Sequence, residues 1–457
     1  MRWIFYNVLF AVGFAFLLPR FLWRMRRRGG YRRDFLERLG FYGAAKRAAL
    51  AEGGRVWIHA VSVGEWFIAR ALMAEMRRRS PAARFLVSVN TSTAHRLAAE
   101  QLAPPDALMY FPLDAPGVAR RVLRRARPAA LLLVECELWP NLLRRAWRAG
   151  IPLALVNGRI SERSYRGYYR LRLFTRRILP LFRIICAQSE GDRQRLLALG
   201  APPERCFTAG SAKYEIGAPD PERTAHLRHA LMAAGWMPER PILLGGSTWP
   251  GEEELLLRLW MELRAEYPGL FLILAPRHAE RRPEIERLLR ERGAAAQWRS
   301  AVAGASPAAS ADIFVLDTTG ELRHLYPLAD VIFVGKSLTA HGGQNPVEPA
   351  ACGRPVVVGP HMENFPVVMA DLRAADAVRQ VADYAGLKRA VTGLLADAGA
   401  RAELGRRAAE LVAAKAGALR RTADALFAAG VAPDQPPAVG GDWSSAGAKG
   451  TATVSSP

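Results

Sequence analysis

The chain has 457 residues, half of them apolar, and a formal net charge of +22. This length predicts two or three domains with sizeable cores and excludes a small disulfide-stabilised scaffold. The four cysteines form no Cys-x-x-Cys pair, so free thiols in a reducing compartment are expected, with neither a zinc site nor a disulfide framework. The positive excess points to a polyanionic partner: nucleic acid, a membrane surface or a phosphorylated substrate.

The N-terminal segment predicts a membrane anchor. Residues 3–18 are almost wholly apolar, and arginines follow at positions 24, 26, 27 and 28. Positive charge after an apolar segment predicts that the following domain is cytoplasmic. A cleaved signal peptide is disfavoured because arginines stand where a small-residue cleavage site would be needed. A spanning helix and a monotopic anchor both remain open.

Beyond the anchor, short apolar runs alternate with helical patterns. This alternation predicts two parallel, doubly wound α/β sheets. The first series of predicted strands covers residues 56–61, 85–89, 108–111, 130–135, 153–157 and 184–188, with helices such as 116–127 and 138–149 between them. A Gly- and Pro-containing linker over 210–221 separates it from a second series at 241–247, 270–275, 313–316, 331–334 and 355–358.

These patterns predict four regions: an anchor over 1–28, a first Rossmann-like domain over 29–218, a second over 219–429 and a disordered tail over 430–457. The two domains are expected to face one cleft. Residues 379–427 are predicted to be helical, and 302–311 to form a surface loop.

Glu65 is the first candidate for chemistry. It follows the first predicted strand and the turn Ser62-Val63-Gly64. Ligands of open parallel sheets bind beyond the carboxyl ends of strands, where an acid could take a proton from a bound hydroxyl. Equally, an acid at this position favours a helix N-terminus through the helix dipole. The motif alone leaves both interpretations open.

Glu135 and Glu137 follow another apolar strand, two residues apart, and could point the same way. Metal ligation is disfavoured because no histidine or third acid is near in sequence. The structural alternative is that Glu137 caps the next helix while Glu135 pairs with an arginine. Lys213 closes the domain and could stabilise developing negative charge. Arginines and tyrosines between 165 and 177 suit a phosphorylated or membrane-surface ligand, or simply a solvated helix face.

The second domain resembles a nucleotide-binding half. Gly245-Gly246-Ser247-Thr248 precedes a predicted helix opened by Pro250 and Glu252, and could cradle a phosphate through backbone N–H groups. Arg277, at the end of the next strand, could pair with phosphate. Glu348 stands in the first turns of a helix preceded by Asn345 and Pro346, where it could bind ribose hydroxyls.

Eight segments resemble, in order, the 3-deoxy-D-manno-octulosonic acid (Kdo) transferases of lipopolysaccharide assembly. They are His59-Ala-Val-Ser-Val-Gly-Glu65, Glu135-Cys-Glu-Leu-Trp-Pro-Asn141, Asn157-Gly-Arg-Ile-Ser-Glu-Arg163, Ala187-Gln-Ser-Glu190, Gly210-Ser-Ala-Lys213, Pro276-Arg-His278, Asp317-Thr-Thr-Gly-Glu-Leu322 and Gly342-Gly-Gln-Asn-Pro-Val-Glu-Pro349. The resemblance covers about residues 1–425. It implies a metal-independent, inverting glycosyltransferase of the GT-B type, with CMP-Kdo as co-substrate, a lipid A precursor as acceptor and no cofactor.

The resemblance also assigns roles. Glu65 would be the general base, and Glu135 and Lys213 would stabilise the transition state. Contacts to the CMP of the donor would fall on Pro276, Arg277, Gly320, Glu321, Leu322, Asn345, Pro346, Val347 and Glu348, with Ser247 and Thr248 as weaker candidates from the glycine turn. The expected location is the bacterial inner membrane, with the catalytic domains on the cytoplasmic side.

Two alternatives follow from the same sequence. One is a nucleotide-sugar 2-epimerase of the same fold, which would need no apolar N-terminal run. The other is a nucleic-acid-binding membrane protein, suggested by the charge of +22. The second is disfavoured because no nucleic-acid-binding motif of the usual kinds is present, and no nucleic-acid partner is expected.

Overall fold

The computed structural model describes residues 34–302 and 311–432, together with Tyr6, Asn7 and Gly13. The chain divides into two compact units. The first runs to Ala212 and resumes at Gly417, and the second comprises Lys213–Ala416. Apart from a few residues, the predicted anchor, the loop over 302–311 and the tail lie outside the described residues. Across the described part of the chain, no helix is both long and apolar enough to cross a membrane.

Each unit contains a seven-stranded parallel sheet. The strands of the first unit are β1 Val56–Ala60, β2 Phe85–Val89, β3 Ala107–Tyr110, β4 Ala130–Val134, β5 Leu153–Gly158, β6 Ile184–Ala187 and β7 Cys206–Thr208. Those of the second are β8 Ile242–Thr248, β9 Phe271–Pro276, β10 Gln297–Trp298, β11 Ile313–Val315, β12 Val331–Val334, β13 Val356–Val358 and β14 Arg379–Gln380. The orders are β3-β2-β1-β4-β5-β6-β7 and β10-β11-β9-β8-β12-β13-β14. The first sheet contains the doubly wound order 3-2-1-4-5-6, and the second has the same order when the two-residue edge strand β10 is left out.

Helices connect the strands. They are α1 Ala44–Ala51, α2 Val63–Arg79, α3 Ser92–Gln101, α4 Pro116–Ala126, α5 Pro140–Arg148, α6 Glu162–Arg170, α7 Arg172–Ile178, α8 Glu190–Ala198, α9 Pro221–Ala233, α10 Glu252–Leu263, α11 Arg282–Glu291, α12 Arg299–Val302, α13 Leu322–Leu325, α14 Val347–Ala351, α15 Pro366–Ala374, α16 Tyr384–Ala396, α17 Ala398–Lys415 and α18 Ala418–Ala428. Short 3₁₀ turns cover Phe35–Leu39, Leu179–Leu181, Pro203–Arg205, Ala212–Tyr214, Ala279–Arg281 and Tyr326–Leu328.

Both faces of the first sheet are covered, which explains why its strands are continuous apolar runs. Every residue of β4 is buried. Because side chains alternate along a strand, Leu131 and Leu133 join Trp57 in one core, while Leu132 and Val134 join Ile58 in the other.

The C-terminal helix α18 belongs to a different unit from the one predicted. The sequence predicted one helical region over 379–427 within the second domain, but α18 belongs to the first unit. Leu419, Leu426 and Phe427 of α18 pack in the core formed by α2 and the first sheet. The helical composition was predicted correctly, but composition does not specify which sheet a helix covers. Residues Arg379–Gln380, also predicted helical, form the edge strand β14.

The glycine pair before α10 also differs from prediction. Gly245 and Gly246 lie inside β8, not in a turn. A Cβ on Gly245 would lie 2.4 Å from Leu256 Cδ1, and one on Gly246 would lie 3.1 Å from the Tyr326 hydroxyl oxygen. Glycine leaves room here for neighbouring side chains, which pack directly on the strand backbone. The chain turns later, at Ser247, where φ is +54°.

Candidate active site

The first sheet has a topological switch point between β1 and β4, where the strand order reverses. Open α/β sheets bind ligands beyond the carboxyl ends of the strands at such a point. Glu65 follows β1, and Glu135 directly follows β4. The topology therefore brings two of the predicted catalytic acids to one edge of one sheet.

Glu65 is held in a fixed orientation at the start of α2. Its N–H donates to the hydroxyl of the N-cap Ser62 at 3.4 Å, and that hydroxyl donates to Glu65 Oε1 at 3.0 Å. Glu65 Oε2 accepts the Val61 N–H at 2.8 Å. This is close to a capping box, in which a serine and a glutamate three residues later satisfy backbone groups at a helix N-terminus. The structural alternative for Glu65 is thus present, whatever its chemical role.

The pKa of Glu65 is not explained by its capping contacts alone. Burial raises the pKa of Glu65 from 4.5 to about 7. The Val61 N–H and the Ser62 hydroxyl lower this pKa, while the negative charges of Glu135 and Glu137 raise it. A carboxylate with a pKa near 7 suits proton transfer at neutral pH, because both of its forms are populated.

Glu135 and Glu137 complete an acidic edge. Glu135 has φ of +61°, a left-handed conformation that is uncommon for a residue other than glycine and is concentrated at functional sites. Burial, and then the charge of Glu135, raise the pKa of Glu137. The electrostatic influence of both residues on Glu65 shows that the three carboxylates share one environment. The predicted pairing of Glu135 with an arginine is not among the ion pairs of the described residues.

Asp114 supports this edge and was missed by the sequence analysis. Its carboxylate accepts the N–H groups of Asn141 and Leu142, at 3.0 and 2.8 Å, and thereby caps α5. It also accepts the Tyr6 hydroxyl at 2.9 Å. Burial raises the pKa of Asp114 to about 6. Asp114 stands two residues before Pro116, so its sequence position suggests a cap for α4 rather than for α5.

Lys213 is the first residue of the second unit. Its Nζ donates to the Asn364 carbonyl oxygen at 2.6 Å and lies 4.8 Å from the centroid of the Phe365 ring. The structure therefore places Lys213 in the unit that carries the predicted donor-binding residues.

Those residues surround the switch point of the second sheet, between β8 and β12. Pro276 ends β9, and the exposed Arg277 follows it with its N–H donating to the Thr248 carbonyl oxygen at 3.0 Å. Gly320, Glu321 and Leu322 lie after β11. Gly320 has φ of +86°. Glu321 Oε1 forms an ion pair with Arg299 Nη2 at 2.9 Å.

Asn345, Pro346, Val347 and Glu348 follow β12 and open α14. Asn345 Oδ1 accepts the Val347 N–H at 3.0 Å, and Asn345 Nδ2 donates to Glu348 Oε1 at 3.4 Å. The N-cap of α14 is Pro346. Glu348 lines a cavity of about 230 Å³, together with Tyr214, Ile216, Arg323 and Cys352. The cavity offers a carboxylate beside apolar walls, a combination found in small-molecule sites in general.

Ser247 and Thr248 end β8, and their role in binding phosphate stays a prediction. Thr248 is fully buried, and its hydroxyl donates to Glu253 Oε1 at 2.7 Å. The helix that follows carries Glu252, Glu253 and Glu254 in its first turn, so its N-terminus is already supplied with negative charge.

Glu252 has a structural role that the sequence did not reveal. It is fully buried, and its carboxylate accepts backbone N–H groups from Trp249, Lys336, Ser337 and Leu338 at 2.8 to 3.1 Å. One side chain thus joins the loops that follow β8 and β12. An acid in the first turn of a helix was the only sequence signal for it.

Residues 33–216 match the family described as 3-Deoxy-D-manno-octulosonic-acid transferase (kdotransferase). The 3-deoxy-D-manno-octulosonic acid transferase of Haemophilus influenzae is 33% identical over 399 residues, which cover 87% of this chain and 91% of the relative. The enzyme of the same name from Bordetella pertussis is 34% identical, covering 91% and 96%.

Among solved structures, a UDP-GlcNAc 2-epimerase from Neisseria meningitidis bound to UDP-GlcNAc superposes with a TM-score of 0.55 and 14% identity. It covers 82% of this chain and the whole of that one, a likeness that shows the fold alone. The fold is thus an α/β arrangement shared with that epimerase. Because the sequence similarity to two Kdo transferases extends over nearly the whole chain, the chain belongs to the 3-deoxy-D-manno-octulosonic acid transferase family.

Proposed function

We propose that the protein is an inverting glycosyltransferase that moves Kdo from CMP-Kdo to a lipid A precursor in lipopolysaccharide biosynthesis. The observation that carries the mechanism is Glu65, a buried carboxylate with a pKa of about 7 at the switch-point edge of the first sheet. Family membership supports the reaction class. The proposed location is the cytoplasmic face of the bacterial inner membrane.

In the proposed reaction, ionised Glu65 accepts the proton of an acceptor hydroxyl. The hydroxyl oxygen forms a bond to the anomeric carbon of Kdo, the bond between that carbon and the CMP phosphate oxygen breaks, and CMP leaves with the bonding electrons. The Val61 N–H and the Ser62 hydroxyl orient the carboxylate before substrate arrives, so little reorganisation is needed. The proposed transfer needs neither a metal nor a cofactor.

The second unit is proposed to hold the donor. Arg277 would pair with the CMP phosphate, and Glu348 would accept bonds from ribose hydroxyls. Lys213 supplies a positive charge for the leaving phosphate. Glu135 would stabilise the transition state from the first unit. These roles rest on the match to the family motifs, and the positions of Glu135 and Arg277 directly after β4 and β9 support them.

The helices α6 and α7 support a proposed contact with an anionic lipid surface. Tyr169, Leu171 and Leu173 are 43%, 61% and 65% exposed, and the exposed Arg170 and Arg172 alternate with them. Exposed apolar groups between arginines suit the headgroup region of an anionic membrane. A Leu171→Ser, Leu173→Ser double variant should bind anionic vesicles less, whereas the same change at the exposed Met232 and Met237 should not matter. Equal vesicle binding by both double variants would contradict the assignment.

The decisive experiment compares Glu65→Gln with Glu222→Gln, an exposed acid in the first turn of α9. Each variant is incubated with labelled CMP-Kdo and a tetraacylated lipid A precursor in detergent. Glu65→Gln should lower the rate of transfer by at least about 10²-fold, since general base catalysis contributes about 10²–10⁴-fold. CMP binding and the circular dichroism spectrum should not change. Turnover near the wild-type rate would refute the base role, and epimerisation of UDP-GlcNAc without Kdo transfer would refute the proposed function.

A further inference from the structure

Two polar loops of the second unit are joined beside the donor-binding segment. One follows β12 and leads to Asn345, and the other follows β13. The Asn364 N–H donates to the Gly342 carbonyl oxygen at 2.9 Å, and the His361 N–H donates to that of Ser337 at 3.0 Å. Gly343 permits the approach, because a Cβ there would lie 2.4 Å from Met362 Sδ. The separation of the loops is therefore set by the backbone.

Three side chains converge from these loops. His341 Nδ1 and His361 Nδ1 lie 3.1 and 3.3 Å from the same oxygen, Glu363 Oε1. The two imidazole centroids are 3.9 Å apart, and one nitrogen of each ring and one carboxylate oxygen all lie within 4.8 Å of one another. Glu363 Oε2 accepts the Gly342 N–H at 2.7 Å, which fixes the carboxylate and turns its other oxygen toward the histidines.

We propose that His341, His361 and Glu363 form a binding site for a divalent transition metal of the zinc class. Zinc binds imidazole nitrogen and carboxylate oxygen at about 2.0–2.2 Å, usually in tetrahedral geometry, so neighbouring ligand atoms lie about 3.3–3.5 Å apart. The two nitrogen–oxygen separations, 3.1 and 3.3 Å, are close to this edge length, and all three ligand atoms lie within 4.8 Å of one another. The Gly342 N–H is a backbone partner that orients a ligating carboxylate.

The three ligands leave at least one coordination position open, and the exposure of His341 makes it accessible to water. The same contacts could arise from hydrogen bonds alone, as in the pair His278 and Glu280, whose side chains approach to 3.4 Å. That pair offers two ligands, whereas the His341, His361 and Glu363 cluster offers three on a backbone-fixed frame. Metal binding discriminates between the two interpretations.

A metal at this cluster would hold the loop that precedes Asn345 against the loop that carries Asn364, whose carbonyl oxygen accepts Lys213 Nζ. The site is thus placed to stiffen the donor-binding segment without contributing to the transfer step. The metal-binding inference does not depend on the proposed function, because binding can be measured without substrate.

The test uses the full chain, free of any histidine tag and treated with a chelator, titrated with Co²⁺ alone. One equivalent should bind and give the visible absorption of four- or five-coordinate Co²⁺, which Zn²⁺ should displace. His341→Ala and Glu363→Gln should each weaken Co²⁺ binding at least about tenfold. Even the loss of a group that only supports a metal ligand lowers metal affinity by about 10- to 100-fold. His226→Ala removes an exposed histidine elsewhere in the second unit and should bind like wild type.

A second readout is thermal. Zn²⁺ should raise the melting temperature of the wild type and of His226→Ala, but not that of His341→Ala, because a metal that binds only the folded state stabilises it. His341 is exposed, so its loss should leave the circular dichroism spectrum unchanged. Equal Co²⁺ affinity in wild type and His341→Ala, or no saturable binding by wild type, would overturn the inference.

Discussion

The pH dependence of transfer is the sharpest consequence of the Glu65 environment. Only ionised Glu65 can accept a proton, and its pKa is about 7. The acid limb of kcat/KM should therefore have an apparent pKa near 7, and the rate at pH 6 should be about a tenth of its plateau. An ordinary glutamate, with a pKa near 4.5, would give no such fall above pH 6.

Two substitutions should move this limb in opposite directions. Ser62→Ala removes a hydroxyl that stabilises the ionised form through a 3.0 Å bond, so the pKa of Glu65 should rise. A hydrogen bond to a charged group contributes about 1.5–3 kcal/mol, and one pKa unit is 1.36 kcal/mol. Since Ser62 is partly exposed, the lower end applies, and a rise of about one unit is expected. Glu137→Gln removes a negative charge and should lower the pKa by less, because Glu137 is the weakest of the five influences on it.

Initial rates at low donor concentration, measured from pH 5 to 9 with wild type, both variants and Glu222→Gln as control, give kcat/KM directly. Ser62 also caps α2, so circular dichroism and thermal melting must show that Ser62→Ala is folded across this range. The limb should lie at higher pH in Ser62→Ala, at lower pH in Glu137→Gln and at the wild-type position in the control. A limb that stays in place in both variants, or shifts the same way in both, would refute Glu65 as the titrating base.

Four other outcomes are expected. Glu65→Gln should increase the free energy of unfolding by up to about 3 kcal/mol at pH 8 and by much less at pH 4. The reason is that the raised pKa of Glu65 makes its ionisation, between about pH 4.5 and 7, oppose folding. Urea unfolding at both pH values measures this difference. Glu252→Gln should lower the free energy of unfolding by about 2 kcal/mol or more, because four backbone N–H groups lose a charged acceptor. Gly335→Ala should destabilise by about 1–3 kcal/mol in the same assay, since its Cβ would lie 2.4 Å from the Ser247 carbonyl oxygen. Lys213→Gln should lower kcat by about 10²-fold with little change in the Kd for CMP, measured by calorimetry, if Lys213 acts on the leaving phosphate in the transition state.

The central strands could be predicted from the sequence to within about one residue. The strands β2 and β12 were predicted with their observed bounds, and the predicted 130–135 differs from β4 by one residue. Buried parallel strands are continuous apolar runs, and that signal is local. The short strands β7, β10 and β14 were missed, because two or three residues at a sheet edge carry no periodic pattern.

The incorrect predictions from the sequence have a common cause, which is tertiary packing. Gly245 and Gly246 were interpreted as a glycine turn at the end of the predicted strand 241–247, yet both lie inside β8, where Leu256 and Tyr326 occupy the space that side chains would need. Likewise, α18 covers the first sheet although it follows the second unit in sequence. Neither fact can be read from neighbouring residues, because the atoms that decide it come from distant positions in the chain.

The candidate site, too, could be predicted only in part from the sequence. That Glu65 lies at a strand end could be predicted, but its pKa could not. The pKa depends on burial and on Glu135 and Glu137, which arrive from another strand through the order of the sheet. Asp114 and Glu252 were missed as supports because each satisfies backbone groups far away in sequence.

The two interpretations of Glu65, helix cap and base, can be separated by their energetics. In a capping box the glutamate returns to the N–H of the N-cap residue, whereas Glu65 accepts the N–H of Val61, one residue earlier. The capping hydrogen bonds and the helix dipole by themselves would lower the pKa of Glu65. The pKa of Glu65 is raised instead, so ionising it opposes folding at neutral pH. The same hydrogen bonds that satisfy the helix start also orient a carboxylate that is easily protonated, and capping alone does not require the second property.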